Sequence, residues 1–397
     1  MPQSKVLHVA GSPVSQYYYM ISVHYCRQML AGASDAATKE AFDFMFAVVL
    51  PGGDWCLVSD LDEATIADAP KLSHGEALTT IAAADYDACV PHMFCYPGYT
   101  SYRALMDLLG VPLVGCSPEC MALITDKQQC KAVASAAGVP VPPGELLRSP
   151  AQTPTVAYPF VLKPCCEDNS MGISKVENAE ELPAALAEAF KFDDAVVCEK
   201  FISLGREIRV AVLEDDAGEP TTVLPACEYL LTPEHPMRTS KDKISVTEDG
   251  LPDASKFFAT NAKEAPAYRT SVTPAPLDEA LAAKLGEAAK RAHKALRCRD
   301  FSIFDFRVDP EGEVYMLECQ PVCSFAVQSA MIGMALKTCA PPPHRTRDFC
   351  DALVEIPFAS GVRVCLSRTC RPACAPPASP VVAGTCPSFS TLPSSTR

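Results

Sequence analysis

The stretch Phe301–Gln320 constrains this chain most, because it sets two carboxylates inside apolar strands. It reads as a strand, a tight turn at Asp309-Pro-Glu-Gly312 and a return strand. Alternation with a period of two puts Phe301, Ile303, Asp305 and Arg307 on one face, and Ser302, Phe304, Phe306 and Val308 on the other. On the return strand Val314, Met316, Glu318 and Gln320 are expected to share a face, so that Asp305 and Glu318 stand side by side. A carboxylate in an apolar run is costly unless compensated, and two together repel unless a cation lies between them. Such hard oxygen donors suit Mg²⁺, which commonly takes one or two carboxylates plus substrate phosphates. The alternative is a solvated edge hairpin; the phenylalanines flanking Asp305 favour the metal.

The 397 residues leave room for two or three domains. A formal charge of −14 argues against nucleic acid or an anionic membrane as a partner, while leaving room for a nucleotide in a local positive pocket. The 20 cysteines are scattered, often inside apolar runs. Cys165-Cys166 and Cys116/Cys120 do not make a four-ligand set, and no paired units carry zinc spacing. They are expected to be small buried hydrophobes in a reducing compartment. The first residues run almost directly into a strand, and no apolar run reaches the roughly 18–20 residues of a membrane span. A cytoplasmic chain is therefore expected.

Strands at 5–10, 42–50, 55–59 and 85–92, a short one at 111–115, and helices at 16–30 and 102–109 predict an α/β domain with a parallel sheet over residues 1–125. A helix over 126–137 closes at Gly138. Strands at 160–164 and 195–201 flank a polar loop, Cys165–Gly172, and a helix at 179–190. An antiparallel pair surrounds the 214–218 turn, and the segment 233–276 has the weak periodicity of a functional loop. Leu277–Leu296 is an amphipathic helix leading into the hairpin, and a final helix is expected at 324–336. From 339 on, proline, serine and cysteine dominate, with no acidic residue after Glu355; this tail is expected to be disordered.

Lys163 ends a strand beside the loop Cys165-Cys-Glu-Asp-Asn-Ser-Met-Gly172, a plausible phosphate clamp in which an ammonium meets charge and loop amides meet oxygens. Further on come Glu199-Lys-Phe-Ile202 and Gly205-Arg-Glu-Ile-Arg209, then the Asp305/Glu318 hairpin. With Pro91-His92, Leu109–Gly115, Asp126-Lys127 and Asp242-Lys243, this order over residues 85–336 resembles the ATP-grasp superfamily, in its D-alanine–D-alanine ligase branch. The resemblance implies an α/β (α+β ATP-grasp) fold: an N-terminal parallel α/β domain (1–125), two grasping lobes (126–204 and 205–338) and the tail (339–397).

It also implies roles. Lys127 and Lys163 are similar to the lysines that hold ATP phosphates, and Asn169, Ser170 and Met171 lie in the loop that folds over them. Glu199, Lys200 and Ile202 match the adenine-edge segment, and Glu207 the glutamate on the ribose hydroxyls. Lys243 is similar to a lysine on the γ-phosphate. Asp305, Glu318 and Gln320 stand in the positions of the Mg²⁺ ligands, with Mn²⁺ as an alternative ion. The implied reaction is ATP-dependent joining of a carboxylate to an amine through an acyl phosphate, with small carboxylate or amino-acid substrates. Such ligases are often homodimers.

Departures from the pattern fall at the amino-acid end. The peptide ligases carry an arginine two residues before the metal-binding aspartate, and here that position is Ile303. Arg307, on the same face but about 13 Å along the strand from the lost site, is the expected substitute. The family's Glu-x-Asn is Glu318-Cys-Gln320. His92 is retained, Ser329 is similar to the serine that holds the second substrate's carboxylate, and no glutamate near 15–22 matches the one on the first substrate's ammonium. A different ATP-grasp activity and a non-catalytic ATP-binding protein are the competing expectations.

Overall fold

The computed structural model describes residues 3–32, 40–215, 217–243, 247, 249–253 and 271–320, with the backbone alone at 241 and 243. The expected helix at 324–336, Ser329 and the tail lie outside the described residues.

The first sheet is built from β1 (Ser4–Gly11), which is followed by α1 (Gln16–Gly32), then β2 (Phe42–Val49) and β3 (Trp55–Val58). Two helices, α2 (Glu63–Asp68) and α3 (His74–Ala83), lead to β4 (Ala88–Pro91). The strand order is β3-β2-β1-β4. β1 is central and almost wholly buried, as an apolar run covered on both faces should be. β2 and β4 flank it in parallel, but β3 runs antiparallel to β2. The five residues from 50 to 54 are too few for the dozen or so that a parallel crossover needs, so the expected all-parallel sheet has an antiparallel edge. The expected strand at 111–115 is only a single bridge, Leu113 to Cys89.

A wide helical turn over Gly98–Tyr102 opens into α4 (Arg103–Leu108), followed by α5 (Pro118–Thr125) and α6 (Lys127–Ala136). Asp126 caps α6, accepting from the Gln129 amide at 2.8 Å. That cap puts Lys127 at the first helical position and Lys131 one turn on, along the same face.

The second sheet holds β5 (Gly144–Leu147), β6 (Phe160–Pro164), β7 (Ser174–Val176) and β8 (Val196–Lys200), in the order β5-β8-β6-β7, with α7 (Leu182–Ala189) packed on it. The third sheet is centred on β9 (Arg206–Glu214), with β10 (Pro220–Val223) and β11 (Cys227–Tyr229) on one side. A short helix, α8 (Ser240–Lys243), and β12 (Ser271–Val272) follow. The long helix α9 (Glu279–Ala295) precedes β13 (Phe301–Val308) and β14 (Val314–Cys319), which complete the sheet on the other side of β9. Gly205 is needed at the mouth of β9, because a Cβ there would stand 2.7 Å from the Asp309 backbone.

The main core lies under the third sheet, where Phe304, Phe306, Val314 and Met316 meet α6 and α9. The expected alternation fails at one point of the hairpin. Phe306 pairs with Met316, yet Asp305 pairs with Glu318, so Leu317 is an extra residue that bulges out of the ladder. Val314 and Met316 therefore face the core, and Glu318 and Gln320 face the opposite side with Asp305. In regular register Glu318 would lie opposite Phe304; the bulge brings the two carboxylates together. Among the described residues no helix is long and apolar enough to cross a membrane.

Candidate active site

A cleft opens between the second and third sheets. The second sheet and its loops contribute Lys163, Asn169, Ser170, Met171, Glu199, Lys200 and Ile202; α6 contributes Lys127; the third sheet contributes Glu207, Asp305, Arg307 and Glu318. Twelve of the residues singled out in the sequence thus line one space. Gln320 adjoins it, hydrogen-bonded to two of them.

At the carboxylate end, Asp305 is buried and engaged from two sides. Arg209, opposite it on β9, donates from Nε to Oδ1 at 2.6 Å and from Nη2 to Oδ2 at 2.7 Å. Gln320 Nε2 donates to Asp305 Oδ2 at 2.7 Å and to Glu318 Oε1 at 2.6 Å. The amide nitrogen of Gln320 thus sits where a cation between the carboxylates would sit. To act as the third ligand, the amide would have to turn its carbonyl oxygen inward, a half-turn about its last bond. Arg209 was not among the expected site residues. Its position on β9, which pairs with the aspartate's strand, was the missing information.

In the lysine layer, Glu199 is buried on β8 and both its oxygens are taken. Oε1 meets Lys163 Nζ at 2.5 Å, and Oε2 meets Lys131 Nζ. Burial, against a partly compensating pull from Glu318, lowers the Lys163 amine to about 8. Burial, with the neighbouring Lys163 charge, pushes Lys131 well below the lysine range. Glu199 is therefore the anchor of both lysine amines. Lys131 was missed, although its i+4 spacing from Lys127 was in the sequence.

The loop after β6 carries two consecutive left-handed residues, Asn169 (φ 55°) and Ser170 (φ 58°). The Asn169 side-chain nitrogen is buried without a partner among the described residues. Side-chain contacts from outside it help to hold the loop. The Lys127 amine donates to the Glu167 carbonyl. Tyr18 OH donates to Glu167 Oε2 at 2.6 Å, and Tyr99 OH to Asp168 Oδ2 at 3.0 Å.

Two expectations change. Arg307 does not reach back toward Ile303. It is buried, donates from Nη2 to Glu207 Oε2 at 2.7 Å and to the Pro236 carbonyl at 2.9 Å, and leaves its Nε without a partner among the described residues. It faces Glu207 because the two are in register on adjacent strands. His92 does not line the cleft. It is buried in the first sheet's surroundings, its Nε2 3.0 Å from His8 Nδ1, and burial with the nearby Arg103 charge depresses its pKa to about 3. A neutral histidine suits that buried contact. Lys243 ends α8, and its side chain lies outside the described residues.

The sequence model described as D-ala D-ala ligase C-terminus matches residues 145–339. A D-alanine–D-alanine ligase of Bordetella petrii is 31% identical over 276 residues, covering 68% of this chain and 77% of that protein. The chain belongs to the D-alanine–D-alanine ligase family. The family's enzyme from Geobacter sulfurreducens is 33% identical over 239 residues, 59% of this chain and 66% of its own length. The match to ligase B of Chromobacterium violaceum spans 63% of that protein. In fold, the D-alanine–D-alanine ligase of Coxiella burnetii superposes with a TM-score of 0.64 at 19% identity, covering 92% of this chain and 95% of that one. The VanG D-Ala:D-Ser ligase of Enterococcus faecalis gives 0.63 at 21% identity, covering 84% and 94%. These likenesses give the ATP-grasp fold.

Proposed function

We propose that the chain is an ATP-dependent carboxylate–amine ligase acting on small amino-acid substrates. The observation that carries this reading is one cleft with Asp305 and Glu318 at one end and Lys127 and Lys163 along its wall. The residues present fit Mg-ATP. The two carboxylates offer hard oxygens to the ion. The unpartnered nitrogens of Asn169 and Arg307 offer donors to a polar ligand. When bound, Mg-ATP supplies the phosphoryl group that activates a carboxylate as an acyl phosphate, from which an amine displaces phosphate.

The chain's own residues position and neutralise. Lys127 and Lys163 place ammonium charge beside the phosphate loop. Glu199 holds Lys163 in place, and Arg307 holds Glu207 at the nucleotide end. Met171 and its neighbours line the cleft, where they would cover bound phosphates and exclude water. Arg209 orients Asp305 and supplies a guanidinium one strand away from Ile303, where the peptide ligases place an arginine.

A phosphate-release assay over a panel of D- and L-amino acids tests this. Stimulation above the basal ATPase rate by one acid or pair, with a ligated product by mass spectrometry, is expected. No stimulation by any pair would remove the peptide-ligase reading and leave a different ATP-grasp activity, which Ile303 favours. Failure to bind Mg-ATP would remove both.

A further inference from the structure

Outside the cleft, a knot of cysteines lies in the main core. The thiols of Cys116, Cys120 and Cys298 all lie within 4.8 Å of one another, and all three residues are buried. Cys319, also buried, lies in the same core cluster, outside this close group of three. The four come from distant parts of the chain. Cys116 lies in the loop before α5, Cys120 in the first turn of α5, Cys298 between α9 and β13, and Cys319 at the end of β14.

Tetrahedral zinc with four thiolates needs sulfurs about 3.8 Å apart, given Zn–S bonds of about 2.3 Å. Three thiols within 4.8 Å need only small side-chain rotations to reach that spacing. A second, independent observation concerns charge. Arg103 is 6% exposed, and its guanidinium donates only to the carbonyls of Val114 (3.1 Å) and Cys116 (2.9 Å). Among the described residues its Nε has no partner and no carboxylate pairs with it. A buried guanidinium without a counter-charge is costly. Through the Cys116 carbonyl Arg103 is joined directly to the segment that carries the first of these thiols. Ordinary buried thiols leave this arginine uncompensated. A thiolate cluster around a divalent ion carries net negative charge and compensates it.

We propose that Cys116, Cys120 and Cys298, with Cys319 as the fourth thiol, form a structural site for a thiophilic divalent ion of the zinc class, with Arg103 as its outer counter-charge. Each ligating thiol gives its proton to solvent as the ion binds. The ion pins the segment that leaves the first sheet to the hairpin that carries Asp305 and Glu318. Cys319 is the residue after Glu318, so the ion also fixes the end of the strand on which that carboxylate stands. The site is independent of the ligase reading.

The test uses the full chain, purified under reducing conditions without chelator and without a histidine tag. One zinc per chain by elemental analysis is expected. After demetallation, Co²⁺ should give thiolate-to-cobalt charge-transfer bands and the visible spectrum of a tetrahedral site. The Cys116→Ser/Cys298→Ser pair should lose the metal and the charge-transfer bands, while Cys89→Ser, a buried cysteine beside Arg103 outside the knot, should keep both. If the double variant does not fold, the wild-type protein still decides, because zinc should protect four thiols from a disulfide reagent under native conditions. Zinc at a small fraction of one per chain, equal thiol reactivity with and without zinc, or a disulfide among the four after alkylation in the lysate would each overturn the proposal.

Discussion

The clearest handle on the site is the proton on Lys163. Its amine is lowered to about 8, chiefly by burial, and a phosphate clamp needs it charged. Below pH 8 the lysine is protonated before nucleotide arrives. Above it, binding must first take up a proton. At pH 9 about one lysine in eleven is charged, so Mg-ATP should bind about tenfold more weakly than at pH 7, a difference of about 1.4 kcal/mol. Calorimetric titration with Mg-ATP at saturating Mg²⁺ from pH 7 to 9 measures this. The binding enthalpy above pH 8 should vary with the buffer's ionisation enthalpy, reporting uptake of about one proton. Lys163→Arg keeps its charge at all these values and should give a flat profile. Glu199→Gln removes the carboxylate between Lys131 and Lys163 and should move the break to lower pH. Stability carries the same signature. The unfolded lysine titrates near 10.4, so between about pH 8 and that value the unfolded chain binds more protons and Lys163's contribution to stability rises with pH. A dissociation constant independent of pH across this range, with no proton uptake, would refute the assignment of Lys163 to the phosphates.

Three further outcomes are expected. Asp305→Asn should abolish Mg²⁺-dependent turnover and, by loosening the bidentate contact with Arg209, lower unfolding stability by about 2 kcal/mol; steady-state rates and urea titration check both, and unchanged turnover would show that Asp305 is not a metal ligand. Gln320→Ala should raise the Mg²⁺ concentration at half-maximal rate with little change in the ATP requirement at saturating Mg²⁺, whereas an unaltered Mg²⁺ titration would leave Gln320 outside the metal's ligands. Phe304→Ala, at a fully buried position in the main core, should cost about 3–5 kcal/mol, read by denaturant unfolding; a loss under 1 kcal/mol would contradict the packing described.

The sequence carried much of this site because its polar residues stand at strand ends and in a loop between recognisable apolar runs. Asp305 and Glu318 were legible as a pair, but for an incomplete reason. Alternation alone put Met316 and Glu318 on one face, and the bulge at Leu317 separates them. Nothing local in Tyr315-Met-Leu-Glu318 marks which residue leaves the ladder. Lys131 could have been read from its helical spacing to Lys127, whereas Arg209 required knowing that β9 lies beside β13. The antiparallel edge of the first sheet was available in the short link 50–54. The cysteine knot was not, since Cys116 and Cys298 are brought together only by the packing of α5 against the third sheet.

The loop after β6 is held before any ligand arrives, by the contacts of Tyr18 with Glu167 and Tyr99 with Asp168. A cover ordered by its neighbours loses less conformational freedom when it closes than a free loop would. If the cleft takes a nucleotide as proposed, its affinity would depend in part on two hydroxyls that do not line the cleft. On that reading, removing either hydroxyl (Tyr18→Phe or Tyr99→Phe) should quicken nucleotide release more than it slows capture, as stopped-flow binding would read.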